Sequence, residues 1–450
     1  MSVLADLSNG LQKLAGGSGG IAGKRGLREA LWPFSSVIRV GVTGLSRAGK
    51  TAFLTSVAAA LLARRYALAP AGASEVPRFD YVSHLAKLAA DPPAWPERTD
   101  TASLLALTTR IPGGLLPARQ IRLEFLDYPG EWLIDLPMLR QSFGAWSEGM
   151  LRRLAAPELA NDAGAFLAFG RGISSRAPGD EALAHAGARL YRGMLGALRD
   201  RGLSFLQPGR HLMPAPGPEP PWMAFFPYTG GGGLTSLLAS RYDAYVAAVR
   251  RDLASPLFAQ VDRLVILADV LTALHAGEAA FADMRSALAA ASGSLRWEFS
   301  WLDALSALAT LHLPPMVITR VAFAATKADH VADRQRGNLA ALMRSLTEVP
   351  GSGVKTGHFA IASVRCTEDF VWSLEGRPVS AVRGRVLGQG VMTRSYPGEV
   401  PDRPPDGDFW EHPFLALPQF EPMRLPDGGR SGVPNIGLGG LLDFLLEDVS

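Results

Sequence analysis

Cysteine is nearly absent: Cys366 is the single one in 450 residues. No internal disulfide can form, and the usage fits a reducing cytoplasm. The eight histidines are scattered, so no Cys/His spacing of a metal site shows in the sequence. Long hydrophobic runs are missing as well. No stretch approaches about 18 uninterrupted apolar residues, so no transmembrane helix is expected. The N-terminal residues lack the apolar core of a secretory signal. Charge of one sign is also lacking. A formal net charge of +3 leaves no footprint for a nucleic-acid partner. What is present is 48% hydrophobic and only 19% charged, which suits a large core and two or three domains.

The most informative stretch is residues 37–51, VIRVGVTGLSRAGKT. Its first half is rich in β-branched residues, as a buried strand is. It runs into Gly44-Leu45-Ser46-Arg47-Ala48-Gly49-Lys50-Thr51, an unbroken G-x-x-x-x-G-K-[ST]. Ala52 then opens a helical run to residue 66. Strand, loop and helix together form a phosphate cradle. The glycines let the backbone curl so that N–H groups of residues 46–52 converge on phosphate oxygens. The helix dipole aims at the same place. Lys50 supplies a mobile charge to the β- and γ-phosphates, and the Thr51 hydroxyl suits Mg²⁺.

Around this loop the chain reads as follows. Residues 5–14 and 27–32 suggest short helices. Leu4, Leu7, Leu11 and Leu14 recur at helical spacing, as a packed or fraying helix would, or as an anchor to a membrane or membrane-protein partner would. Residues 83–88 suggest a helical turn, and residues 91–96 (DPPAWP) an extended loop. Residues 104–111 and 120–126 read as two strands joined at Pro112-Gly113-Gly114, an antiparallel pair added to a parallel sheet. Strands are expected at 263–268, 317–325 and 359–362. The gap before residue 263 far exceeds the dozen residues a crossover needs, so an insertion is expected there. Its periodicity at 143–154 and 181–198 is helical. Helices are also expected at 281–288 and 299–311. Residues 378–426 suggest an irregular covering of loops and short strands, and residues 439–446 a final helix. The expected division is an N-terminal helical segment (1–35), a first part of the nucleotide domain (36–135), a mostly helical insertion (136–260), a second part (261–375) and a C-terminal extension (376–450).

Two further motifs stand at strand ends. Asp127-Tyr128-Pro129-Gly130 places a carboxylate that suits Mg²⁺ and a glycine N–H suited to a γ-phosphate. Thr326-Lys327-Ala328-Asp329 places a carboxylate able to accept from guanine N1–H and N2–H, a donor pair adenine lacks. The Lys327 stem suits the base face, and Thr326 a tie between loops. Ser363 and Val364 follow another strand and offer backbone N–H groups to the base. Cys366 reads as a passive small residue. Asp269 closes the 263–268 strand and either faces the nucleotide or caps a helix.

GLSRAGKT, DYPG and TKAD, in that order, resemble the Ras-like GTPase class. More narrowly, WPERTD (95–100), DYPGEWLIDLPML (127–139), PGRHLMP (208–214), ATKADHV (325–331) and NIGLGGLLDFLLED (435–448) resemble the YcjX-like family of bacterial GTPases. The likeness runs over most of residues 25–450. It implies an α/β P-loop fold, GTP/GDP and Mg²⁺ as ligands, a cytoplasmic place and a link to stress responses; the N-terminal leucine spacing, read as an anchor, would place it at the periphery of the inner membrane. The likeness also implies a helical insertion like that of heterotrimeric G-protein α subunits and a protein effector that the sequence does not name. By the same resemblance Thr99 or Thr101 is a switch threonine for Mg²⁺, and Arg98, three residues before Thr101, is placed like a built-in catalytic arginine. Glu131 stands where many Ras-like proteins carry a water-orienting glutamine. A carboxylate beside the γ-phosphate implies slow turnover. The rival readings are an ATPase or small-molecule kinase, and a scaffold that merely holds nucleotide.

Overall fold

Strand side chains alternate between two faces, and in this chain both faces are covered. A computed structural model describes residues 35–64, 66–69, 76–97, 102–111, 119–128, 130–213, 219–253, 261–309, 318–347, 354–412, 414 and 417–447. The elements in chain order are β1 (Ser35–Gly44), α1 (Lys50–Ala63), β2 (Ala67–Leu68), α2 (Tyr81–Leu88), β3 (Ser103–Ile111), β4 (Arg119–Asp127) and α3 (Gly130–Asp135). After a 3₁₀ turn come α4 (Phe143–Leu154), α5 (Ala160–Gly172), α6 (Glu181–Asp200), α7 (Gly232–Leu253), β5 (Arg263–Ala268), α8 (Val270–Ala276) and α9 (Glu278–Ala309). Then follow β6 (Arg320–Ala325), α10 (Asp333–Leu346), β7 (Lys355–Ala360), β8 (Thr367–Leu374), β9 (Arg377–Arg385), β10 (Met392–Ser395), α11 (Gly407–Trp410) and α12 (Leu438–Leu446).

The main sheet has the order β2-β3-β4-β1-β5-β6-β7. β4, β1, β5, β6 and β7 are parallel. β3 runs antiparallel to β4, and β2 antiparallel to β3. All six residues of β5 and of β6 are buried, which is why these strands read as apolar runs without alternation. On one face, Val40, Val42, Val265 and Leu267 pack with Phe53, Leu54 and Val57 of α1 and Leu438, Leu441 and Leu445 of α12. On the other, Leu264, Ile266, Val321 and Phe323 join α8, α9, α10 and the helices between β4 and β5. This is the mixed α/β architecture of a P-loop NTPase fold.

The segment between β4 and β5 is helical for a local reason. In α6 the buried residues are Ala184, Gly187, Ala188, Tyr191, Met194, Leu195 and Leu198, a stripe at steps of three and four. Asp180 caps that helix by accepting from the Leu183 N–H at 3.0 Å. The stripe meets an aromatic core, with Phe166–Tyr191 centroids at 4.8 Å, Trp146–Tyr242 at 5.3 Å and Phe225–Tyr245 at 5.2 Å. Each such pair adds about 0.5–1.5 kcal/mol beyond its buried area.

Several expectations need correction. The strand expected at 359–362 is β7 and lies earlier, at Lys355–Ala360; Ala362 makes only an isolated bridge to Ile436. The two helices expected at 281–288 and 299–311 are one helix, α9, because its alanine-rich sequence contains no proline to end it. The irregular covering expected from residue 378 begins instead inside a second sheet, of order β10-β9-β8 and wholly antiparallel. Glu375 and Gly376, both at positive φ, make the two-residue turn between β8 and β9. These strands are half-exposed, so they lack the apolar runs that announced β5 and β6. The expected N-terminal helices, the turn at 112–114, residues 310–317, and Arg98, Thr99 and Thr101 lie outside the described residues.

Candidate functional site

β1 hands the chain to the loop at Gly44, where a side chain has no room. An added Cβ would stand 2.5 Å from the Leu267 carbonyl oxygen, and the Leu45 N–H donates to that same oxygen at 3.0 Å. Arg47 and Gly49 then take φ of 65° and 80°, turning the backbone inward. No side chain caps α1, whose N-cap is Gly49 in the left-handed region. The helix therefore presents its first amides and its positive end to the loop's hollow. Lys50, Thr51 and Ala52 form that first turn.

Gly130 packs closely against this loop. A Cβ there would fall 1.9 Å from the Gly44 oxygen and 3.2 Å from Lys50 Nζ. The start of α3 thus packs directly against the loop and its lysine. Asp127 ends β4, is buried, and sits in register beside Val42 of β1. Thr51 is also buried. A hydroxyl and a carboxylate are the hard oxygen donors that Mg²⁺ prefers, so this donor set fits the ion. The side chain of Glu131 lies outside the described residues.

α3 is held from its far side by the helical segment. Gln207 Nε2 donates to the Ile134 carbonyl at 2.6 Å, and the Gly209 N–H to Asp135 Oδ1 at 2.7 Å. The Tyr245 hydroxyl donates to Asp135 Oδ2. Tyr242 donates to the carbonyls of Met138 and Gln141 at 3.0 and 3.1 Å. Complete burial pushes the Asp135 carboxyl up to about 6, against the pull of these hydrogen bonds.

The opposite end is assembled by β6 and the loop after β7. The Thr326 N–H donates to the Ala268 carbonyl at 2.9 Å and its hydroxyl to the same oxygen at 3.3 Å, tying β6 to β5. Lys327 has φ of 59°. Its Nζ lies 2.5 Å from Asp269 Oδ2. Asp269 also caps α8, accepting from the Thr272 N–H at 3.1 Å and the Thr272 hydroxyl at 2.6 Å. Of its two expected roles the structure displays the cap. Asp329 is 2% exposed. Its Oδ2 accepts from the Cys366 N–H at 2.7 Å and the Cys366 thiol at 2.9 Å. Burial and the Asp329 charge hold that thiol well above its ordinary pKa, so it stays a donor. Cys366 is thus a hydrogen-bond partner of Asp329, where the sequence suggested a passive small residue. Burial also lowers the pKa of the neighbouring His330.

Both ends open into one cavity of about 400 Å³. Ser46, Arg47, Ala48, Gly49, Lys50, Thr51 and Ala52 line it together with Thr326, Lys327, Asp329, Ser363 and Val364. Gly44, Gly130 and Asp127 do not line it; Gly130 packs against Gly44 and Lys50 of the loop, and Asp127 lies in register with Val42. Ala362 and Cys366 line it too, and so do Trp95, Pro96, His330, Gln419 and Phe420, which the sequence reading did not single out. Trp95 comes from the loop that precedes residues 98–101, and its indole N–H donates to the Phe420 carbonyl at 2.8 Å. Only the aromatic-proline pair in WPERTD signalled it. Among the described residues no helix is long and apolar enough to cross a membrane.

Comparison with known proteins agrees with this geometry. The model of the family described as YcjX-like family, DUF463, matches residues 38–449. A protein named Ras-like GTPase YcjX from Escherichia coli (strain K12) is 32% identical over 453 residues, covering 91% of this chain and 95% of the relative. A protein of the same name from Shewanella oneidensis (strain MR-1) is 32% identical over 464 residues, covering 91% and 94%. With the phosphate loop, the strand-end motifs and near-complete coverage all in agreement, this chain belongs to the YcjX-like family.

Proposed function

We propose that this chain binds GTP with Mg²⁺ and hydrolyses it slowly, as a nucleotide-controlled switch. The observation that carries the reading is the single cavity lined by the Gly49-Lys50-Thr51 turn and by the buried Asp329 carboxylate. A triphosphate suits the first and a guanine the second. The relatives named as Ras-like GTPases point the same way.

In this reading Lys50 and the loop amides bind the β- and γ-phosphates, Thr326 and Lys327 frame the base, and Ser363 and Val364 offer it backbone donors. Thr51 and Asp127, with Thr99 or Thr101, hold Mg²⁺, which when bound neutralises phosphate charge. Water attacks the γ-phosphorus, the bond to the β–γ bridging oxygen breaks, and GDP and phosphate leave. Glu131 orients the water, and Arg98 adds charge stabilisation in cis. A carboxylate beside the γ-phosphate opposes the developing negative charge, which makes turnover slow. Gly130 meets the γ-phosphate through its N–H, and α3 carries the difference between GTP and GDP into the helices of residues 136–260, an insertion in the nucleotide domain. The readout is a protein effector.

Single-turnover assays with Mg²⁺ test this. The expected products are GDP and phosphate from GTP, with ATP a poor competitor and Lys50→Ala inactive. A phosphorylated small molecule beside the diphosphate would make the chain a kinase. Undiminished activity in Lys50→Ala would overturn the assignment.

A further inference from the structure

Asp329 is a buried carboxylate, and an ionised carboxylate has roughly four acceptor sites. Among the described residues two of them are filled, by the N–H and the thiol of Cys366 on the same oxygen, at 2.7 and 2.9 Å. Two sites are left, and guanine brings two donors on one edge. The partner is 37 positions away in the chain, on the loop that also contributes Ser363 and Val364 to the cavity. The hydroxyl of Thr367, next in sequence, donates to the backbone carbonyl of Asp329, so neighbouring residues fix the main chain and the side chain of the same aspartate.

Resting on the guanine reading above, we propose that Cys366 is a positioning residue for base recognition. Its thiol sets the plane of the Asp329 carboxylate, so that the two remaining acceptor sites face guanine N1–H and N2–H together. Held this way the carboxylate needs no reordering when the base arrives, and a base with one donor leaves an acceptor unmatched. A metal reading of the same trio is weaker. Asp329, His330 and Cys366 offer ligand atoms within 4.8 Å of one another. Oxygen and sulfur on one tetrahedral zinc would stand about 3.5 Å apart, whereas the observed 2.9 Å is a hydrogen-bond separation. Nor is the thiol taken by His330, whose Nε2 lies farther off, at 3.7 Å.

The test is calorimetric binding of GDP and IDP, the latter lacking the N2 amino group, to the full chain. Cys366→Ala keeps the backbone donor and removes the thiol. It should weaken GDP about fivefold, the worth of an ordinary hydrogen bond, and weaken IDP less, narrowing the ratio between them. Cys366→Ser restores a donor and should restore both the affinity and the ratio. A Cys366→Ala protein with the wild-type ratio, or a Cys366→Ser protein indistinguishable from Cys366→Ala, overturns the inference. Failure of the guanine reading itself looks different: the wild-type chain would then bind GDP no better than ADP.

Discussion

At the Asp329 end of the cavity, side chains arrive already held by other side chains. Asp329 is fixed by Cys366 and Lys327 by Asp269. The Lys50 end is organised instead by backbone: left-handed turns at Arg47 and Gly49, and the close approach of Gly130 to Gly44. The two ends also differ in what lies behind them. The loop after β7 is tied to the C-terminal segment, with Ala362 and Ile436 exchanging backbone hydrogen bonds. The Lys50 end is tied through α3 to the segment between β4 and β5. On the proposed function, a preset Asp329 end favours selection of the base, while a backbone-built Lys50 end favours sensing of the phosphates.

The strongest way to break this comparison is to loosen the helices between β4 and β5. Trp146 is almost fully buried among Tyr191, Phe225 and Tyr242. Trp146→Ala should cost about 3–5 kcal/mol of stability, seen as a lower thermal midpoint, while folded protein keeps its preference for GDP over ADP. A loss of that preference would mean the two ends are not independent. Next in size is Gly130→Ala. Its Cβ has no place beside the Gly44 carbonyl, so α3 must move. GTP hydrolysis should fall about 100-fold with GDP affinity nearly unchanged, as single-turnover and binding assays would report.

Asp135 offers a subtler probe, through pH. Its folded pKa of about 6 lies above the ordinary carboxyl value near 3.9. A raised carboxyl contributes stability that is complete below the unfolded value and is lost as pH rises through the folded one. The stability of Asp135→Asn relative to wild type should therefore climb by about 2 kcal/mol between pH 4 and 7 and level off above. Urea midpoints across that range check it; a difference that stays flat would show that the carboxylate bears no such burial cost. The smallest effect is expected at Arg47. Its 3.8 Å contact with Asp200 of α6 is exposed on both sides, so Asp200→Ala should shift stability by less than about 0.5 kcal/mol.

These contrasts also explain what the sequence revealed. The phosphate loop was legible because eight contiguous residues carry its geometry, with β1 and α1 written on either side. β5 and β6 were legible as apolar runs, and Thr326-Lys327-Ala328-Asp329 because it sits at a strand end. Cys366, Trp95 and Phe420 were not, since each gains its meaning from a partner far along the chain; Trp95 and Phe420 are 325 positions apart. The second sheet escaped notice because its strands are half-exposed, and only Glu375-Gly376 marked the turn.

The central claim, that one cavity takes a guanine base at Asp329 and phosphates at Lys50, is tested most directly by Asp329→Asn. Competition binding of GDP against XDP, whose xanthine offers an oxygen where guanine offers its amino group, should show a strong wild-type preference for GDP. The variant should reverse it, by about 100-fold or more, because an amide can donate where the carboxylate only accepts. An unchanged preference for GDP in Asp329→Asn would contradict the account.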